Sequence, residues 1–207
     1  MKNLAKLFGI IMLFMTIGFS FSACNNGSTD PNPNLAPIVY NIGDTGPGGG
    51  IIFYKSEAGF TLIDSGVIAH YLEVAPVDTE QSLAWASSSF VSTDIKGTSI
   101  TIGSGRNNTA IILATDNAAP AAKACNDLDT GKDDWFLPSK DELNELYLQK
   151  NLPNIGLDTT VYPVYLSSSQ YNSTSAWSQN VQAGNQGVQN KPDFGANNAH
   201  VRAIRAF

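Results

Sequence analysis

The sequence predicts an α+β domain, and three observations carry that expectation. Short apolar runs broken by Gly, Asn and Pro open and close the segment 38–207. Ala-rich stretches with apolar residues at i, i+3 and i+4 occupy its middle, and one stretch carries a complete helix-start signature. Strands at both ends with helices between them bring the end strands together in one antiparallel sheet.

Taken in order, residues 38–42 and 50–55 read as strands flanking Gly43-Asp44-Thr45-Gly46-Pro47-Gly48-Gly49, a turn-rich connection. Residues 60–63 and 70–74 read as two more. Residues 107–116 and 121–128 have helical apolar spacing and are separated by Pro120, which cannot continue a helix. The next helix has the clearest start. Ser139 is followed three residues later by Glu142, a capping box, and Leu143, Leu146 and Tyr147 form its inward stripe. Residues 164–168, 175–181, 186–190 and 200–206 complete the chain as strands with Gly and Asn turns between them.

Ahead of this domain, Lys2 and Lys6 precede an apolar run over residues 7–21, the pattern of a secretory signal. It ends in Phe21-Ser22-Ala23-Cys24, which resembles the bacterial lipobox, with Phe21 where that motif usually has Leu. The resemblance implies a signal peptide over 1–23, acylation of Cys24, and an extracytoplasmic protein held to the outer membrane or cell surface by its lipid. Residues 24–37, rich in Asn and Pro, have too few apolar side chains to fold and read as a tether. If Cys24 is acylated, Cys125 is the one remaining thiol and no intrachain disulfide can form.

Charge narrows the partners. The 207 residues carry 12 basic and 18 acidic side chains, and removing residues 1–23 leaves 10 against 18, a net charge of −8. Such a chain lacks the cations that hold nucleic acid by counterion release. The same charge repels sulfated polysaccharides at long range.

Several motifs in a fixed order then point to a family. Gly43-Asp44-Thr45-Gly46-Pro47 followed by Gly49-Gly50-Ile51-Ile52-Phe53-Tyr54 opens the series, and Tyr71-Leu72-Glu73-Val74-Ala75-Pro76 comes next. Asp134-Trp135-Phe136-Leu137-Pro138-Ser139, Ser167-Ser168-Ser169 and Val201-Arg202-Ala203-Ile204-Arg205-Ala206-Phe207 complete it. Together they resemble the Lcl C-terminal-like domain family, a domain of unknown function named after the end of a bacterial collagen-like adhesin. Leu166 stands where that family usually has Trp. The resemblance implies a C-type-lectin-like fold over residues 38–207, similar to that of formylglycine-generating enzymes. It also implies a binding or adhesion role toward a glycan or another surface protein, with a structural envelope lipoprotein as the alternative and a degenerate enzyme as a more distant one.

No catalytic constellation is expected. An enzyme of the formylglycine-generating type needs a reactive Cys pair or thiolate-held metal, whereas Cys125 sits among alanines as a small core residue, and His70 and His200 are far apart. Gly46 to Gly50 lacks the Lys-Ser/Thr ending of a phosphate loop and reads as a hairpin. Asp127, Asp129 and Asp133, with Asp134 beside them, surround Gly131 and form a weak calcium candidate, against which stands a plain Asx turn; no other cofactor is expected. Arg202 or Arg205, if buried, requires a carboxylate partner.

The ligand-binding candidates lie in residues 167–198: Tyr171, Trp177, Gln179, Asn180, Asn190, Asp193, Asn197 and Asn198. Aromatic rings stack on sugar faces and side-chain amides match hydroxyls as donors and acceptors. The competing reading puts Trp177 in the core and makes the asparagines turn formers, and the Glu-Pro-Asn and Trp-Asn-Asp signatures of calcium-dependent sugar binding are absent. Association into a homo-oligomer is left open.

Overall fold

A computed structural model describes residues 38–191 and 199–207. The expected signal peptide, Cys24, the tether and the candidates Asp193, Asn197 and Asn198 lie outside the described residues.

Among the described residues the domain is α+β, with three α-helices and two sheets. Its first sheet has the order β1-β2-β8, where β1 is Ile51–Thr61, β2 is Ile68–Val74 and β8 is Ile204–Ala206. Both pairings are antiparallel, so the first and last strands share one sheet with β2 between them, as the sequence predicts. The second sheet, not foreseen as a separate layer, has five strands in the order β3-β7-β4-β5-β6. Here β3 is Gln81–Ser82, β4 Val164–Asn172, β5 Ser175–Asn180, β6 Gln186–Asn190 and β7 His200–Val201. Its pairings are antiparallel except for one parallel contact, Tyr165 to His200, between β4 and β7.

Three strand expectations change. Residues 38–42 form no strand, because the Asp44 carboxylate accepts the Asn41 N–H at 2.7 Å and closes a turn. The runs at 50–55 and 60–63 are one strand, bent by an irregularity between Lys55 and Phe60. The run 200–206 splits into β7 and β8, since at Arg202 and Ala203 the chain leaves one sheet for the other and its Arg202 side chain turns inward.

The helices follow their local signals. α1 (Gly105–Thr115) ends before Pro120, which opens α2 (Pro120–Asn126) at a position where its missing N–H costs nothing. In α3 (Lys140–Leu148) both capping-box bonds form: Glu142 N–H to Ser139 Oγ at 3.3 Å, and Ser139 N–H to Glu142 Oε2 at 2.7 Å. Leu143 and Leu146 are buried as expected. Alternation along β4 separates two cores, sending Leu166 to one with Trp85, Ile112, Cys125 and Leu137, and Tyr165 to the other with Phe53, Phe136, Leu143 and Leu146.

Candidate functional site

The recurring motifs converge on a structural centre. Glu73, fully buried in β2, accepts the N–H groups of Gly48 at 3.0 Å and Gly50 at 2.7 Å on Oε1, and its Oε2 pairs with Arg205 at 3.2 Å. Arg205 turns its other edge to Asp134, bonding both carboxylate oxygens at 2.7 and 2.9 Å. A Cβ on Gly46 would lie 2.4 Å from the Glu73 carboxyl carbon, and one on Gly48 would lie 2.6 Å from the Trp135 ring. The glycine-rich segment therefore cradles an internal carboxylate, which is why it needs glycine.

Arg202 is equally internal. It donates to Ala75 O, Ile155 O and the Glu80 carboxylate at 2.9, 2.9 and 3.0 Å. The Tyr165 hydroxyl donates to Glu80 as well, at 2.8 Å. His200 stacks on Tyr165 and has Glu80 Oε1 2.9 Å from Nδ1 and Val161 O 3.1 Å from Nε2. Both partners only accept, so both ring nitrogens donate, and the hydrogen bond to Glu80 holds the imidazolium above the ordinary histidine range. Both arginines thus meet carboxylates, where the sequence required a partner for one.

Two other ionisable groups are internal. Glu142, fully buried, accepts the N–H groups of Ser139 and Gly103 and has no cation beside it among the described residues; burial pushes its carboxyl up to about 7. Burial likewise pulls Lys191 down to about 8, its ammonium bonding Thr93 O and Gln170 Oε1 and lying 4.8 Å from the Trp85 ring centre. Cys125 is buried in α2, its thiol pushed far up by desolvation, which suits a core residue.

The aspartate cluster is engaged locally. Asp127 pairs with Lys123 one turn back on α2. Asp129 accepts the Gly131 N–H at 2.7 Å, an Asx turn in which Gly131 takes φ +86°, and Asp133 is exposed. Among the described residues no three His, Cys, Asp or Glu side chains are placed to share a metal ion.

The 167–198 tract divides. Gln179 is fully buried, its amide nitrogen donating to Gly184 O, so it offers nothing to a ligand. Asn180 accepts the N–H groups of Gln182 and Ala183 and forms the turn between β5 and β6. Asn190 is exposed and accepts from Ser175 Oγ. Tyr171 is 54% exposed and meets Trp177 edge to face, ring centres 5.0 Å apart. Trp177 is half-buried and belongs to neither core, so the expectation that it packs in the core does not hold. Alternation on β5 turns it to the same sheet face as Val188, its cross-strand partner on β6.

Sequence reasoning missed one member of this patch. Lys140, the first residue of α3, holds its ammonium 4.4 Å from the Trp177 ring centre, and among the described residues no carboxylate pairs with it. The fold brings them together across 37 positions, with α3 lying against β5, and Gln186 donating to Lys140 O at 3.1 Å. Residues 159–192 contain no Asp or Glu, and their one charged side chain, Lys191, is internal. In so acidic a protein this is a neutral region, a signal the sequence did contain.

The fold and its patch define an α+β domain whose polar motifs are mostly internal and whose Tyr171 and Trp177 rings, one exposed and one half-buried beside Lys140, lie in a stretch without carboxylates. Residues 75–205 match the family described as the Lcl C-terminal domain, and the chain belongs to that family. No curated protein matches the sequence. The matched stretch stops short of Gly46–Gly50 and Glu73, although these lock onto Asp134, Trp135 and Arg205 inside it.

Proposed function

We propose that this domain is a non-enzymatic binding module, displayed outside the cytoplasm on a lipid carried by Cys24, that takes a neutral carbohydrate against Tyr171 and Trp177. The observation that carries the reading is the pair of packed aromatic rings, one largely open to solvent, in a stretch of chain, residues 159–192, that has no carboxylate. An exposed ring offers its face to the C–H surface of a sugar at low entropic cost. Lys140 already covers part of Trp177, so Tyr171 is the open stacking ring. Binding through stacking and hydrogen bonds depends weakly on salt.

The test is a glycan array probed with the wild-type chain, Tyr171→Ala and Trp177→Ala, with heparin at about 50 and 300 mM salt as the charged comparison. The expected result is binding to uncharged glycans that Tyr171→Ala abolishes. Steeply salt-sensitive heparin retention, or glycan binding unchanged in both variants, overturns the proposal.

A further inference from the structure

Among the described residues the outer edge of β6 is open, and it is self-complementary. The bonds Lys191 N–H to Thr174 O and Asn180 N–H to Asn185 O fix which residues of β6 face β5. By antiparallel alternation, residues 185, 187, 189 and 191 bond inward, and Gln186, Val188 and Asn190 direct N–H and C=O outward. Those six backbone groups have no partner among the described residues. The strand carries none of the usual guards of an edge: no proline, no charge and no bulge. Val188 at its centre is 48% exposed.

We propose that β6 pairs antiparallel with β6 of a second copy about a two-fold axis at Val188, joining two five-stranded sheets. The occupant follows from the pattern Gln186-Gly187-Val188-Gln189-Asn190, which reads amide, spacer, valine, spacer, amide from either end. Reversed against itself, it sets Val188 against Val188 and Gln186 against Asn190; with Gln186 Nε2 donating to Lys140 O and Asn190 Oδ1 accepting from Ser175, the Asn190 amide nitrogen donates to the Gln186 amide oxygen across the pair. Main-chain pairing supplies about six hydrogen bonds. Because Val188 lies opposite Trp177 on β5, the axis generates a continuous apolar row of Trp177, two valines and the second Trp177. Charge supports the same choice. Two copies of an acidic chain repel, and this edge lies in the stretch 159–192 that has no carboxylate.

The experiment is light scattering behind size exclusion, with the C24S chain loaded from about 1 to 500 μM. Wild type shifts toward twice the monomer mass as concentration rises. Val188→Pro removes an outward N–H without touching the β5–β6 ladder, and Val188→Lys sets like charges together on the axis; each weakens dimerisation at least tenfold with unchanged circular dichroism. Val188→Cys forms a disulfide-linked dimer on oxidation, Cys125 being buried. A monomer throughout the range, a dimer indifferent to both substitutions, or a dimer that Val188→Cys does not cross-link overturns the inference. None of these outcomes bears on glycan binding at Tyr171.

Discussion

Glu142→Gln isolates a buried carboxylate whose ionisation opposes folding. In the folded domain Glu142 caps its own helix and accepts the Gly103 N–H at 2.8 Å, with no cation near it among the described residues, and burial raises its value from 4.5 to about 7. A raised folded value means the native state holds its proton more tightly than the unfolded chain. The stability this contributes is fully present below about pH 4.5 and is lost as pH rises through about 7. At 1.36 kcal/mol per unit, a rise of that size corresponds to about 3 kcal/mol between pH 4 and pH 8.5. Urea titrations of wild type and Glu142→Gln across this range read the effect as a difference, which cancels the contribution of His200, also held above its ordinary value. Relative to the variant, wild type is expected to lose about 3 kcal/mol on going to the alkaline end. The glutamine also turns a donor toward the Ser139 N–H, a loss of about 1 kcal/mol that does not vary with pH. A stability difference flat from pH 4 to 8.5 would refute the reasoning and show that the N–H groups of Ser139, Gly103 and, at 3.5 Å, Gly105 fully offset its desolvation.

The remaining predictions use the same titrations, or fractionation. Trp135→Ala removes a ring 2% exposed and should cost about 3–5 kcal/mol, whereas Ser139→Ala removes one cap bond and should cost about 1; equal small losses would show the ring is not part of the core. Gly48→Ala drives a methyl into the Trp135 ring and loosens the Glu73 cradle, so it should cost more than about 2 kcal/mol, and a neutral effect would remove the cradle as the reason for glycine. Cys24→Ala should move the protein from the membrane fraction to the soluble one with its melting curve unchanged. Retention in the membrane would point to an uncleaved apolar anchor.

What the sequence made legible was what its residues settle with near neighbours. Ser139 and Glu142 are three positions apart, so their reciprocal caps are local, and Pro120 fixes the start of α2 through its own backbone. Residues 38–42 failed because Asp44, just beyond the apolar run, captures the backbone for a turn. The division of 200–206 was hidden because Arg202 finds its partners at Ala75, Glu80 and Ile155, distances along the chain that no periodicity reports. For the same reason the Gly46–Gly50 segment reads as a plain hairpin until Glu73 is placed in it. Among the ligand candidates, composition grouped Gln179 and Asn180 with Tyr171 because all can touch a sugar. Burial of the first and the turn made by the second separate them. Lys140 was invisible because only the packing of α3 on β5 brings it to Trp177.

The Tyr171–Trp177 face is proposed as the contact surface, and tryptophan fluorescence tests this with little ambiguity. Of the chain's three tryptophans, Trp85 and Trp135 are 1% and 2% exposed, so acrylamide quenching reports almost wholly on Trp177. The glycan selected on the array should protect the protein from quenching in a saturable way, at the concentration that half-saturates binding and nearly independently of salt. Saturable glycan binding that leaves the quenching of Trp177 unchanged would contradict this and place the binding surface elsewhere on the domain.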